Sequence, residues 1–412
     1  MDWKSIRKKL DSSETKYHYY FGDYSYSDPT KSKVGRRIPK PHLGWGRRAV
    51  EVRANKTQFD RFENDTLGFN DLMNKYHVGE ALDQIKDDVL VCGVGFLALA
   101  GDKVMPFTAE EATGTYDWST QNLKSGLAIF QENTDRFNRF KEPDSYIEYN
   151  ADKTIIFTKD GKETKKNPTG RPLIGMLTYK TTTKQPFGHT LLDRPARDAI
   201  LDASRTIRQA NVAAYHYNIK LDIILGADND TSVDKIDSQV GDILKIGTNQ
   251  NGQIPQIGEF AQHAMSPFTD TVMIAARNYC VATKLSLANL GIDTNAPQST
   301  EALEIVSDDL KDDILAWQRE LGEQLKYFLM TLYMLKEGIN SIDDNLQQKL
   351  NAIKPAWRPI FEADVSKFGD GLTKIAQQAP QVIKAKSIWR NLGLTSEEIG
   401  NIIANVDTQI QT

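Results

Sequence analysis

The sequence predicts an α+β fold whose helices are long for its size, and three observations carry this. Apolar residues recur at a helical period over Phe69–Val91, Arg194–Ile219 and Thr269–Leu285. A helical pattern runs unbroken from Ser299 to Lys336, and short apolar runs separated by turn residues fill two other regions. At 412 residues the chain is long enough for two or three domains and for a core that needs no staples.

Taken in order, Tyr17 to Trp45 is rich in Tyr, Ser, Gly and Pro without a period, so an extended arm followed by irregular structure is expected. Phe69–Val91 sets Leu72, Met73, Tyr76, Ala81, Leu82, Ile85 and Val89 against Asp83, Lys86 and Asp87, the pattern of one amphipathic helix. Short strands follow at Phe96–Ala100, Met105–Thr108, Leu127–Gln131, Ser145–Tyr149 and Thr154–Lys159, with turns such as Asp160-Gly161 between them. Asp193 stands where a cap is needed for the helix from Arg194, with Pro195 in its first turn. That helix carries Ala196, Ala199, Ala203, Ala210, Ala213 and Ala214, small enough for another helix to approach closely. Strands at Asp222–Leu225 and Asp242–Ile246 make a β-containing excursion before the helix at Thr269–Leu285. The helix from Ser299 spans 38 residues, roughly 57 Å at the helical rise, and Gly338 ends it. A Pro-flanked stretch around Trp357 and short helices at Ile383–Asn391 and Ser396–Ala404 complete the chain.

Fifty-one basic residues against fifty-five acidic ones give no global basic field. Residues 1–61 nevertheless hold fifteen basic and seven acidic side chains, which suits either a charged arm or contact with an anionic partner. The long helix runs the other way: Glu301, Glu304, Asp308, Asp309, Asp312, Asp313, Glu320, Glu323 and Glu337 outnumber Lys311, Arg319, Lys326 and Lys336. A solvated acidic face is the ordinary reading; lining a pore, such a face would repel a phosphate backbone and let DNA slide. The two cysteines, Cys92 and Cys280, lie in apolar settings, which fits buried thiols better than a disulfide scaffold. No apolar h-region opens the chain and no run of eighteen apolar residues occurs, so neither a cleaved signal nor membrane insertion is expected.

Candidate chemical motifs fail on spacing. Gly93, Gly95 and Ala98 satisfy a dinucleotide fingerprint, but the helix precedes the glycines instead of following them. The stretch from Asp228 begins like a calcium loop yet has Val233 where Gly is required and Gln239 where a bidentate carboxylate is required. Gly161-Lys162-Glu163-Thr164 lacks a phosphate loop's upstream glycine. No histidine pair stands at i, i+4, and no CxxC occurs. No catalytic residue, metal site or cofactor is therefore assigned.

What the residues do carry is an ordered set of segments. These are IPQIGEFAQHAMSPFTDTVMIAARNYCVATKLSLANLG, then Asn295, Pro297, Ser299 and Glu301-Ala302-Leu303, the long helix, Trp357-Arg358-Pro359, Ala363-Asp364 with Lys374, and LGLTSEEI at 392–399. GWGRRAVEVRANK at 44–56 and the helix leading into Val91–Phe96 are similar but less specific. In this order they resemble the portal proteins of tailed bacteriophages of the siphophage type. Ala296, between Asn295 and Pro297, departs from the family pattern, and the C-terminus is shorter than is common there.

The resemblance implies a portal fold assembled as a ring of twelve subunits at the capsid vertex of the virion, put together in the host cytoplasm. Its parts would be an N-terminal arm and start of the wing (1–68), the wing (69–193), a stem helix (194–220), the clip (221–268), a second stem helix (269–285), a tunnel loop (286–298), a long wing helix (299–340) and a C-terminal wing or crown (341–412). Double-stranded DNA would pass through the ring, with Lys284, Asn289, Asp293, Thr294, Asn295 and Gln298 facing it. Terminase and then the head–tail adaptor would dock at the clip, at Asp228, Asn229, Asp230, Asn249 and Asn251. The major capsid protein is a further implied partner, and no membrane is. Two alternatives stay open: an enzyme with an active site assembled between lobes, and another phage head or tail structural protein.

Overall fold

Helices and antiparallel sheets divide the chain in an α+β arrangement. The computed structural model describes residues 4–7, 10–27, 38–131, 142–217, 222–225, 233–236, 243–246, 256–259, 264–292, 300–360, 389 and 399–400. Two units are distinguished: the first comprises residues 1–24, 43–198 and 278–412, the second 25–42 and 199–277.

In the first unit, helix α1 (Lys4–Arg7) precedes α2 (Leu10–Phe21) and α3 (Trp45–Lys56). Strand β1 (Phe59–Glu63) leads to α4 (Phe69–Lys75) and α5 (Val78–Cys92), so the single helix expected over Phe69–Val91 is two. The break falls at His77, whose φ of 55° is left-handed, and nothing in the apolar period marks it. Strands β2 (Val94–Ala100), β3 (Lys103–Phe107) and β9 (Ile174–Thr178) form a sheet in the order β3-β2-β9. Strands β4 (Ala112–Asp117), β5 (Asn122–Gln131), β6 (Ser145–Tyr149), β7 (Lys153–Thr158) and β8 (Gly161–Lys166) form a five-stranded antiparallel meander.

These two sheets enclose a core. Phe96, Ala98, Ile174 and Met176 of the smaller sheet pack with Leu123, Ala128, Ile147 and Tyr149 of the larger one. The opposite face of β2 receives α5, and Gly95 shows why its glycine matters: a Cβ there would meet Ile85 Cγ1 at 2.5 Å and Val89 Cγ2 at 2.9 Å. Gly93, at φ 94°, is the left-handed residue that closes α5 and accepts no side chain readily. The apparent dinucleotide fingerprint is thus a helix stop followed by a close helix–strand contact.

Helix α8 (Thr300–Glu337) packs on β9 and α4. Its stripe of Leu310, Ile314, Trp317, Leu321, Leu325, Phe328 and Leu332 is almost wholly buried, each such side chain contributing about 1.5–3 kcal/mol. Beyond it, α9 (Asp344–Ala352) is capped by Asp343 through the Leu346 amide at 2.7 Å. Strand β14 (Lys354–Trp357) then pairs antiparallel with β1.

Residues 10–21, of which 17–21 fall in the expected extended arm, are helical. Helix α2 has little propensity of its own, with Ser, Thr and Tyr at six of its twelve positions. Tertiary bonds hold it: Tyr17 donates to Asp88 at 2.6 Å, Tyr20 to Asp87 at 2.8 Å, and the Lys16 ammonium to the Cys92 carbonyl at 3.1 Å. Burial pushes the Asp88 carboxyl up to about 6, only partly offset by the Tyr17 hydroxyl. A carboxyl with a raised native pKa favours folding when protonated, a contribution present below about pH 4 and lost as pH rises through 6. Asp88→Asn, which keeps an acceptor for Tyr17, is therefore expected to raise unfolding free energy by about 2 kcal/mol at pH 7.5 and to change it little at pH 4. Urea denaturation at both pH values checks this; an equal effect at the two would refute it.

The second unit contains most of α6 (Arg194–Tyr217) and the greater part of α7 (Ser266–Thr283). Asp193 does cap α6, accepting from the Ala196 amide at 3.0 Å. Between the helices four short strands pair as nested hairpins: β10 (Asp222–Leu225) with β13 (Gln256–Glu259), and β11 (Val233–Ile236) with β12 (Ile243–Ile246). The sequence showed only β10 and β12. Within the unit, the buried Arg208 guanidinium bonds the Ile38 and Pro39 carbonyls. Lys40 bonds the Tyr26 carbonyl at 2.9 Å. The C-terminal helices expected at 383–391 and 396–404 lie almost wholly outside the described residues.

Candidate functional site

The connection from α7 to α8 starts on a buried charge cluster. Arg53 of α3 is fully buried, and its Nε donates to Asp313 Oδ2 of α8 at 3.0 Å. Its remaining nitrogens reach the Ala49 carbonyl at 3.2 Å and the Thr283 carbonyl at the end of α7. Tyr179 Oη donates to the same Oδ2 at 2.6 Å, while Lys180 and Lys284 place their ammonium groups 2.7 and 3.3 Å from Oδ1. One carboxylate thus ties together α3, the end of β9, the end of α7 and α8.

Asp313 belongs to the carboxylates expected on a solvated face, and it does not lie there. It sits on the apolar stripe, between Leu310, Ile314 and Trp317, and is 3 % exposed. Glu320 also turns inward, accepting from the Thr178 hydroxyl and from the Lys180 and Thr181 amides. Asp308, Asp309 and Asp312 are exposed, as expected. Burial alone would raise the Asp313 pKa, but Arg53, Lys180 and the Tyr179 hydroxyl outweigh it and hold the carboxyl well below the usual range. Burial pushes Tyr179 far above its ordinary value. Near neutral pH neither group gains or loses a proton, so the cluster fixes position and is not poised for acid–base catalysis.

Lys284 is the first residue past α7 and has φ 53°, in the left-handed region where glycine is usual. The Leu285 amide reaches back to the Cys280 carbonyl at 3.1 Å, which closes the helix around it. Holding a lysine in that conformation costs about 1–2 kcal/mol, and the Asp313 pairing helps to offset it. Asn289 lies in a short 3-10 turn, Ala288–Leu290. Its backbone N–H donates to the Ser286 hydroxyl at 3.2 Å, and its carbonyl receives the Arg48 Nε–H at 2.8 Å. Gly291, at φ 74°, ends the turn.

Lys284 and Asn289 are therefore brought to one end of the loop, beside Arg48 and the Arg53–Asp313 pair. Asp293, Thr294, Asn295 and Gln298 lie outside the described residues, as do Asp228, Asn229, Asp230, Asn249 and Asn251. Arg53, Tyr179, Lys180 and Asp313 were missed from sequence. The available signal was a carboxylate on an apolar helical stripe, which demands a buried cation. Among the described residues no group of three metal-binding side chains occurs, and no helix is long and apolar enough to cross a membrane.

No protein-family model matches the chain, and no curated protein sequence matches it. Among solved structures, it is similar to a chain described as "Virion of native gene transfer agent (GTA) particle", at 13% identity over 89% of this chain and 95% of that one, with a TM-score of 0.47. It is also similar to one from "Neck of native GTA particle computed with C12 symmetry", at 14% identity over 92% and 98%, with a TM-score of 0.48. A third, from "Neck of empty GTA particle computed with C6 symmetry", gives 13% identity over 87% and 94%, with a TM-score of 0.46.

Proposed function

We propose that the protein is a structural component of a phage-type particle, and specifically the portal subunit whose ring conducts double-stranded DNA. The observation that carries this reading is the loop between α7 and α8. Its base is clamped by a buried ion-pair cluster, its sequence is polar, and it lies within the ordered segments that resemble portal proteins. Such a loop can approach a moving polymer while its anchor stays fixed. The role is passive: docking and conduction, with the ATP-driven motor supplied by a terminase.

The purified chain is expected to form a closed ring near twelve subunits by mass measurement and to hydrolyse no ATP by itself. A monomer or dimer whose melting temperature shifts with a small ligand would favour the enzyme alternative. ATPase activity that co-purifies with the ring and is abolished by a point mutation in it would also refute the proposal.

The excursion at 221–268 is proposed as the docking surface for terminase and adaptor, because nested hairpins between two helices suit a projecting contact. Asn229→Pro is expected to leave rings intact by electron microscopy while lowering packaging or tail joining severalfold. Failure of ring formation would instead assign the segment to subunit contact.

A further inference from the structure

One pocket of the first unit takes no part in this reading. A cavity of about 460 Å³ lies between α2, the junction of α5 with β2, and the turn at 184–188. Phe96 and Phe187 give it an apolar side. Ser13 and Lys16, one turn apart on α2, line it together with Lys184 and Gln185, and none of its thirteen lining residues is acidic.

Lys16 is the informative group. Its ammonium is half-buried and donates to the Cys92 carbonyl, but among the described residues it pairs with no carboxylate. That carbonyl is the last of α5, so the negative end of the helix dipole supplies a partial counter-charge. It occupies one of three donors, leaving two. Burial lowers the Lys16 pKa, the mark of a cation short of a partner. Ser13, 5 % exposed, adds a hydroxyl to the cavity wall. The neighbouring Cys92 thiol, pushed up to about 11 by burial, remains protonated and brings no negative charge. Water could satisfy these donors but could not balance the two ammonium groups.

We propose that this pocket binds a carboxylate on an apolar stem, with Lys16, Lys184 and Ser13 holding the carboxylate and Phe96 and Phe187 contacting the stem. The volume suits a group the size of an aromatic side chain with a short linker. A carboxylate offers two oxygens to the ammonium groups and the hydroxyl while its stem meets the apolar wall, whereas a phosphate would bring further oxygens against Phe96 and Phe187. The same chemistry is offered by a free organic acid and by the C-terminus of a polypeptide.

Calorimetric titration of the full chain tests this with 4-phenylbutyrate, its neutral amide, and a peptide ending in Phe with a free or an amidated C-terminus. The acid is expected to bind and the neutral amide not to. Lys16→Met should weaken the acid at least tenfold, and the loss of its bond to the Cys92 carbonyl should lower the melting temperature of the free protein only modestly, so that binding is read on folded chain. A lysine needed only for structure would lower stability and leave the affinity for the acid unchanged. Lys184→Met, at an exposed position, should weaken binding about threefold without affecting folding. Binding of the free-carboxylate peptide would support the site and assign it to a polypeptide terminus; binding of the acid without that peptide would support it and assign it to a free small molecule. No binding of any probe, equal affinity for acid and amide, or unchanged affinity in both lysine variants would overturn the proposal.

Discussion

Replacing Asp313 with Asn is expected to lower unfolding free energy by about 3–5 kcal/mol, the range for removing one partner of a buried ion pair. Arg53 would be left fully buried with no carboxylate to balance its charge, and the Tyr179 hydroxyl would lose its anionic acceptor. Lys284→Met, by contrast, removes a half-exposed ammonium from the same oxygen and should cost under about 1 kcal/mol. The pH dependence has a definite sign. A carboxyl whose native pKa is depressed stabilises the fold above its unfolded value near 4, and that contribution is lost as pH falls toward the lower native value. The wild type should therefore lose stability between about pH 5 and 2 more steeply than Asp313→Asn. Urea denaturation across that range measures both; a cost below about 1 kcal/mol at pH 7 would mean the pair contributes no more than an exposed one.

The second large effect concerns DNA and not stability. Asn295→Glu with Gln298→Glu should reduce packaged DNA length or retention, while ring assembly and melting temperature stay nearly unchanged. On the proposed portal reading, two charges per subunit would be multiplied around the ring and would repel the phosphate backbone across its channel. Exposed loop substitutions usually alter stability within about 0.5 kcal/mol. Wild-type packaging by rings confirmed to contain the double variant would show that the loop is not the constriction. Since Asp313→Asn acts on the buried cluster at the base of the loop and the glutamates change only its charge, the two experiments separate damage to the fold from damage to conduction.

Features set by local chemistry were legible in the sequence. Helix α8 was placed to within a residue at each end, because its apolar period is long and Gly338 follows it. Asp193 was recognised as a cap, and β6 and β10 have the predicted bounds. Features set by distant partners were not. Strand β1, FDRFE, alternates weakly and becomes a strand by pairing with residues near 355. Helix α2 depends on acceptors at Asp87, Asp88 and Cys92. On the candidate site, Lys284 and Asn289 were named as polar residues of a loop that the resemblance implied, but the cluster anchoring that loop was not. Nine carboxylates on one helix look alike until the register with Leu310, Ile314 and Trp317 is read. Even then the sequence does not say that the matching cation lies 260 residues earlier, at Arg53.

The pairing of β1 with β14 also bears on how the chain is made. Lys354, the partner of Glu63, is the 291st residue after it. At about 5–20 residues per second, β1 leaves the ribosome roughly 15–60 s before the strand that will cover its edge. Throughout that interval its main-chain donors and acceptors and the ring of Phe62, buried in the finished protein, have no strand partner. The nested hairpins at 222–259 pair over short separations and are free to close during the same wait. Synthesis order thus limits folding order: the meander and then the hairpins at 222–259 can pair as they emerge, whereas the first unit closes only after most of the polypeptide has been made.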